Sequence, residues 1–581
     1  MLHHPLKQAI VRASKGPMHT LGSLPPLLSR IYAHRGIGAP SELDLSLGQL
    51  PDPQLLSGMA TMTEILVDAI LSDHRILVIG DYDADGATAT AVALLGLQSL
   101  GLRHIDYLVP NRFEYGYGLT PEIVSLAMER SPDILLTVDN GISSHEGVAA
   151  ARRAGIKVLI TDHHLPGEAL PAADAIVNPN LAGDPFPSKA LSGVGVLFYV
   201  LLGLRQTLRA KGYFEGAGRA EPQLGQLLDF VALGTVADVV TLDQTNRILI
   251  RQGLRRIQCD QAHPGIRALI AVAGKKASEL SAQDLGFTLG PRLNAAGRLD
   301  DMALGIECLI ASSEESARPM AEALSSLNQE RRVIEQHMRD EAFQQMDRLT
   351  LLDEDQPVLC LFQESWHQGV VGIVASRIKD RTHRPVIAFA VNELNPSELK
   401  GSARSVPGVH IRDVLADVAT RHPGLITRYG GHAMAAGLSL PHAELARFTA
   451  AVIEEMRRRG DDQVTAIALH SDGALPTDQI SLPTAELLFE AGPWGQGFPE
   501  PLFDGEFEVL DQRIVGERHL KLTLRPEGGG ASVDAIAFNV ENPGAWLRTR
   551  MLKMAYRLDI NRFRGRKTVQ LRIEYMESRG A

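Results

Sequence analysis

Residues 76–86 read I-L-V-I-G-D-Y-D-A-D-G. Four apolar residues in a row predict a strand buried on both faces, as in a parallel sheet. Three aspartates follow at alternate positions, Asp81, Asp83 and Asp85. Carboxylates crowd together only at a cost unless something positive lies between them. Past the C-terminal end of a parallel strand, that something is usually a divalent metal or a phosphate-bound ligand. Gly86 permits a tight turn, and A-T-A-T-A-V-A-L-L then opens a helix. An ordinary strand-turn-helix with solvated acids is the simpler alternative, but the Asp-x-Asp-x-Asp-Gly spacing favours a metal site.

Outward from this stretch, strand and helix patterns alternate. I-D-Y-L-V-P from Ile105, I-L-L-T-V-D from Ile134, V-L-I-T-D-H-H from Val158 and A-I-V-N-P-N from Ala175 predict further strands. Such alternation gives an α/β fold with a doubly wound parallel sheet, whose ligands bind just past the strand C-termini. Asp139, Asp162, His163 and His164 all fall there. A helix is expected from Leu191 to about Ala210. The run L-L-D-F-V-A-L-G-T-V-A-D-V-V adds Asp229 and Asp238. Asp229 suits a helix start, whereas Asp238 follows small residues in a buried context and is the candidate for the site.

The rest of the chain divides by composition. Residues 1–50, broken by Pro and Gly, predict an arm lying across the first domain, which spans 51–314. Residues 315–348 predict a long exposed connecting helix. A second α/β domain occupies 349–463 and carries K-G-S-A-R-S and Y-G-G-H-A-M-A-A-G. These read as glycine-rich loops whose backbone N–H groups, with Ser402, Arg404 and His432, would cradle a phosphate. Residues 464–581 hold five short alternating strands, a small β-barrel. Arg557, Arg562, Arg564, Arg566, Lys567 and Arg572, with Phe563 and Tyr575, suit binding of a single strand by charge and stacking. A solvated basic face is the alternative.

At 581 residues, three or four domains are expected. Apolar content of 45% and charged content of 22% are ordinary for a globular protein. There is no apolar run long enough for a transmembrane helix and no signal-peptide pattern, so a cytoplasmic protein without membrane contact is expected. Cys259, Cys308 and Cys360 lack CxxC spacing, which argues against structural zinc and disulfides. The net charge of -11 does not advertise a nucleic-acid binder, yet a basic groove is compatible with it.

Asp83, Asp85, Asp139, His163 and Asp238 offer carboxylates and one imidazole. That donor set suits Mn²⁺ or Mg²⁺ better than zinc. A pair of ions sharing one carboxylate activates water and stabilises charge on a phosphoryl transition state, so phosphate-ester hydrolysis is the leading chemistry.

The ordered set D-Y-D-A-D-G, T-V-D-N-G, T-D-H-H and A-L-G-T-V-A-D resembles the four signatures of the DHH phosphoesterase superfamily. P-R-L-N-A-A-G-R-L, E-S-W-H-Q-G-V-V-G-I-V-A-S-R, K-G-S-A-R-S and G-G-H-A-M-A-A-G narrow the resemblance to its bacterial single-strand exonuclease branch, from about residue 24 to the end. The resemblance implies a DHH domain, a DHH-associated domain and a C-terminal oligonucleotide-binding (OB) fold. It also implies a single-stranded-DNA-specific 5′ to 3′ exonuclease of DNA repair and recombination that releases mononucleotides with two ions.

Carried over by motif, Asp83 would bind one ion and Asp85, His163 and Asp238 the other, with Asp139 bridging. Asp81, Asp162 and His164 take the catalytic roles, Asp162 orienting its neighbours and His164 facing the scissile phosphate. Arg112, Arg298, Ser402 and Arg404, with Arg292 as a weaker candidate, would hold the DNA backbone or its 5′ phosphate. Tyr115 and Trp366 either stack on bases or pack. Small-substrate pyrophosphatases of the superfamily carry a His where this chain has Ile79, so one metal site is expected to be weaker. Partners implied are single-stranded DNA, a single-strand-binding protein and a DNA helicase, with the chain a monomer. A phosphoesterase for small nucleotides or very short oligonucleotides is the alternative, and a non-catalytic scaffold would have lost ligands that are all present here.

Overall fold

The computed structural model describes residues 9–13, 21–22, 24–111, 115, 118–215, 219–350, 356–460, 468–540, 542–563 and 565–579. Strand β1 (Ala9–Arg12) belongs to the N-terminal arm. Strands β2 (Arg75–Gly80), β3 (His104–Leu108), β4 (Ile134–Val138), β5 (Lys157–Thr161) and β6 (Ala175–Val177) form a parallel sheet in the order β3-β2-β4-β5-β6. Alternate residues feed opposite faces: Ile76 and Val78 enter one core, Leu77 and Ile79 another. Both faces are therefore covered, and the apolar run of β2 is accounted for.

Register does the rest. Gly80 lies beside Val138, Val138 beside Thr161, and Thr161 beside Val177. The next residues, Asp81, Asp139 and Asp162, are thereby set side by side along one sheet edge. The strand order reverses between β2 and β4, the switch point where a crevice opens in such sheets.

The helix Glu314–Thr350 connects this domain to the next. It is not the exposed rod the sequence predicts. Ala317, Ala321 and Leu324 are buried in the first domain's core, while Met338 and Ala342 are buried in the second's. The second sheet comprises β7 (Leu359–Phe362), β8 (Val386–Asn392), β9 (Asn395–Arg404), β10 (Arg428–Gly431) and β11 (Ala435–Pro441), ordered β10-β11-β9-β8-β7. Here K-G-S-A-R-S and most of Y-G-G-H-A-M-A-A-G are strands rather than loops. Ser402 is paired with Gly437 on one side and Ala388 on the other. β9 and β11 are each paired on both sides, so their N–H groups belong to the sheet ladder and do not form the predicted backbone cradle.

Strand β12 (Ala468–Ser471) precedes the barrel of β13 (Phe503–Val515), β14 (His519–Pro526), β15 (Val533–Ala537), β16 (Met551–Phe563) and β17 (Arg566–Ser578). The barrel is closed in the order β13-β14-β15-β17-β16, as an OB fold requires. No single helix among the described residues is long and apolar enough to cross a membrane.

The arm also differs from expectation. It does more than cover the first domain, because β1 pairs in parallel with β12. Tyr32 Oη donates to the Ala491 carbonyl at 2.8 Å. Arg35 grips Asp472 with two hydrogen bonds of 2.8 and 3.0 Å, and both side chains are buried. Burial alone would raise the Asp472 pKa, but the hydrogen bond and charge of Arg35 outweigh it and hold the carboxyl below its ordinary range. That stabilisation is present above the ordinary carboxylate pKa and is lost as pH falls through the depressed value. Asp472→Ala leaves a buried guanidinium unpaired, and urea denaturation at neutral pH is expected to show about 3–5 kcal/mol of destabilisation.

Candidate active site

Asp83 caps the helix Ala84–Ser99, its Oδ1 accepting from the N–H groups of Asp85 and Gly86 at 2.9 and 3.0 Å. Asp85, in the first turn of that helix, is buried and accepts from the N–H groups of Gly193 (2.6 Å) and Val194 (3.1 Å). Those donors open the helix Gly193–Ala210, whose N-terminus favours a carboxylate. A Cβ on Gly193 would sit 2.4 Å from Asp139 Oδ1, so only glycine lets the helix approach this closely. Asp139 itself holds φ at 62°, a left-handed conformation that aspartate tolerates and that turns its carboxylate back over the sheet edge.

Asp162 is the buried organiser. Its Oδ1 accepts from the His163 and His164 N–H groups at 2.7 and 3.0 Å and lies 2.7 Å from His164 Nδ1; its Oδ2 accepts from Ile142 N–H at 2.9 Å. The arrangement leaves Nε2 of both rings to face the crevice. His163 Nε2 lies 3.1 Å from Asp139 Oδ1 and 3.5 Å from Asp238 Oδ2. Asp238 arrives from the C-terminal end of the helix Leu228–Ala237. One atom each of Asp85, His163 and Asp238 lie within 4.8 Å of one another, and so do atoms of Asp81, Asp83 and Asp139. Asp81 thus joins Asp83 in a second group, beyond the ligand set expected for it.

Electrostatics set the character of the crevice. Burial, and then the Asp83 charge, push Asp85 up to about 7. Burial raises Asp139 and Asp238 as well, followed by the charge of Asp85. Burial and neighbouring His164 lower His163 to about 4, keeping its ring neutral and a competent ligand. Burial also pulls on His164, but the hydrogen bond and charge of Asp162 win and its pKa is raised. His163 Nε2 and Asp238 Oδ2 are buried without a hydrogen-bond partner among the described residues. Crowded carboxylates, a neutral imidazole and buried lone pairs left without donors form a donor set that fits hard divalent cations.

Residues 75–235 match the DHH family, N-terminal domain; residues 355–458 match the DHHA1 domain and 471–575 the RecJ OB domain. Over 95% of its length the chain is 53% identical to the single-stranded-DNA-specific exonuclease RecJ of Dickeya dadantii, covering 96% of that protein. The chain belongs to the RecJ family. It superposes on the crystal structure of Thermus thermophilus RecJ in complex with Mn²⁺ with a TM-score of 0.78 at 30% identity, over 96% of this chain and 76% of that one. For the Mg²⁺ complex of the same RecJ the TM-score is 0.73 at 28% identity, over 96% and 75% of the two chains. The DHH resemblance and the expected fold class are borne out.

Across the crevice stands the second domain. His432, on the turn between β10 and β11, stacks near His164 with ring centroids 6.4 Å apart and planes 15° apart. Arg404 Nη1 donates to Ser402 Oγ at 2.9 Å, and a Cβ on Gly372 would lie 2.8 Å from Arg404 Nη2. Both side chains therefore sit at the N-terminus of the helix Val371–Thr382, a ready anion site. Arg298 reaches from the first domain to the Gly369 carbonyl at 3.1 Å, beside the same helix start.

Other predicted residues fall elsewhere. Arg292 is not drawn into this group; it donates to the Thr288 carbonyl and lies near Arg332. Arg112 lies outside the described residues. Trp366 is 3% exposed, packed in the second domain's core with its indole donating to Glu341, so packing rather than stacking on bases explains it. Tyr115 likewise packs against the first domain's core. Asp229 pairs with His263 at the opposite end of its helix from Asp238, roughly 14 Å away, and stays out of the site. Several barrel arginines are already engaged: Arg557 and Arg572 converge on Glu500 at 2.9 and 2.7 Å. Phe563's side chain and Arg564 lie outside the described residues.

Three contributors were missed from sequence. Gly193 had one signal, its place in a G-x-G start just after a helix-capping Ser192. Asn294, which accepts from the Ala84 N–H at 2.8 Å, and the Gly369–Gly372 turn sat within quoted motifs without an assigned role.

Proposed function

We propose that the chain is a single-stranded-DNA-specific exonuclease that removes 5′-mononucleotides in the 5′ to 3′ direction, using two Mn²⁺ or Mg²⁺ ions, in DNA repair and recombination. The observation that carries this reading is the convergence of Asp81, Asp83, Asp85, Asp139, His163 and Asp238 at the sheet's switch point, with buried lone pairs aimed at one another. Asp85, His163 and Asp238 would hold one ion, Asp83 with Asp81 the other, and Asp139 both. Bound there, the ions would supply Lewis acidity and a water acidic enough to attack phosphorus at neutral pH.

The chain's own groups do the rest. Asp162 fixes the His163 and His164 rings from behind. His164, its pKa raised by the hydrogen bond and charge of Asp162, would face the scissile phosphate and is placed to pass a proton to an oxygen of the substrate. Ser402, Arg404 and Arg298, at a helix N-terminus, hold the backbone or the 5′ phosphate so that one nucleotide enters the crevice. His432 closes the side opposite His164. Removing one charged hydrogen-bonding group costs about 1.5–3 kcal/mol. Arg404→Ala should therefore lower kcat/KM on 5′-phosphorylated strands by roughly 10–150-fold, with less effect on 5′-hydroxyl strands. An equal loss on both would assign Arg404 to the backbone instead.

Work beside a helicase and a single-strand-binding protein, as a cytoplasmic monomer, belongs to the same proposal. The test is digestion of long single strands labelled at either end, with duplex and a dinucleotide in parallel. Mononucleotides released from the 5′ end, with duplex spared, support the reading. Activity confined to the dinucleotide would move the chain to small-nucleotide phosphoesterases.

A further inference from the structure

Between the metal-binding turn and the side chains placed to hold phosphate stand three glycines, Gly297, Gly369 and Gly372, each pressed against the next layer of the structure. Tyr82 lies between Asp81 and Asp83, and its carbonyl rests on the helix Gly290–Leu299. A Cβ on Gly297 would come within 1.8 Å of the Tyr82 oxygen. One turn earlier on that helix, Asn294 Oδ1 accepts from the Ala84 N–H at 2.8 Å. The last turn of the helix meets the second domain. A Cβ on Gly369 would lie 2.3 Å from the Arg298 carbonyl oxygen, and Arg298 Nη1 donates to the Gly369 carbonyl at 3.1 Å. Gly372 lies under the phosphate-holding pair, where a Cβ would stand 2.9 Å from Ser402 Oγ and 2.8 Å from Arg404 Nη2.

Neither Gly297 nor Gly369 has a positive φ, so the backbone at these positions does not require glycine; the close approach does. At Gly297, inside a helix, propensity alone would favour alanine. Backbone packed against backbone is close to incompressible. Two hydrogen bonds and two such contacts therefore join three pieces into one spacer: the Asp81–Asp85 turn, the helix Gly290–Leu299 and the turn ahead of the helix Val371–Thr382.

We propose that Gly297 and Gly369 are positioning residues that fix the distance between the metal-binding carboxylates and the phosphate-holding Ser402 and Arg404. The inference rests on the exonuclease reading above and adds to it what sets the spacing between the two halves of the site. A stacked strand advances about 3.4 Å per nucleotide. A shift of about an ångström thus takes the scissile phosphate off the metal centre without bringing the next one onto it. The expected defect is slower cleavage with mononucleotides still the product.

The test uses the full-length protein with Mn²⁺ and 5′-phosphorylated oligodeoxythymidylate. Gly369→Ala must widen the contact with the Arg298 carbonyl by about an ångström, and kcat should fall roughly 10²-fold. The variant touches no group at either end of the spacer. Mn²⁺ affinity, titrated without DNA, and affinity for a nuclease-resistant phosphorothioate strand should each stay within about twofold of the unaltered protein's. Asn294→Ala adds no atom and only frees the helix from the Ala84 N–H, so kcat should fall roughly 2–12-fold, the weight of one hydrogen bond. Thermal melts check folding, and if Gly369→Ala does not fold, kcat of Asn294→Ala decides.

Unaltered kcat in the folded variant would overturn the proposal. So would a fall in Mn²⁺ or strand affinity large enough to account for the lost rate, which would make the contact a support of one site rather than a spacer between two. Either result leaves the exonuclease reading standing. Failure of the unaltered protein to cleave single strands would remove that reading, and the proposal with it.

Discussion

Asp139→Ala abolishes turnover on single-stranded DNA, by roughly 10³-fold or more, in a protein that melts as a folded domain. The expectation follows from position. Asp139 stands at the strand-order reversal, 3.1 Å from His163 Nε2 and grouped with Asp81 and Asp83 on its other side. No other carboxylate among the described residues belongs to two of the candidate groups, so on the proposed two-ion reading its loss would deprive both ions at once. Because φ at this position is 62°, alanine also adds backbone strain. Asp139→Asn separates the two effects, since asparagine tolerates the left-handed conformation and keeps the shape without the charge. Equal losses in both variants, read beside Mn²⁺ titrations showing weakened binding, assign the defect to the lost ligand. Near-normal activity in either would mean the carboxylate is not shared.

Gly193→Ala is expected to lower turnover by roughly 10²-fold, although the residue carries no functional group. Its added Cβ would meet Asp139 Cβ and Oδ1 at 2.4 Å, a separation that real structures do not sustain. Asp139 or the start of the helix Gly193–Ala210 must then move by about an ångström. Displacement of that size in an active site costs about two orders of magnitude. The same helix start donates two N–H groups to Asp85, so both halves of the crevice shift together. Steady-state kinetics with a parallel Mn²⁺ affinity measurement checks this. A folded Gly193→Ala protein with unaltered kinetics would show that the close approach is not what aims Asp139.

Much of the fold is legible in sequence because the signals are local. The apolar run before Asp81 and the acids past β4 and β5 identify a parallel sheet and its ligand-binding edge without knowledge of any long-range contact. The five barrel strands alternate visibly for the same reason. What escapes is what depends on partners distant in the chain. Nothing near Ala9 announces that it pairs with Ala468. Arg557 and Arg572 look like free cations until Glu500 is set against them. Trp366 resembles a stacking platform until the long helix covers it with Glu341. The glycine-rich segments around Ser402 and His432 imitate loops because glycine is rare in strands; here their flat backbones pair beneath the crevice.

The measurement that bears most directly on this account is anomalous diffraction from crystals of the protein soaked in Mn²⁺. Two peaks are expected at the switch point, one against Asp85, His163 and Asp238, the other against Asp83 and Asp81, with the Asp139 carboxylate touching both. A single peak, or a pair in which Asp139 contacts only one, would contradict the shared-carboxylate site on which the proposed chemistry rests.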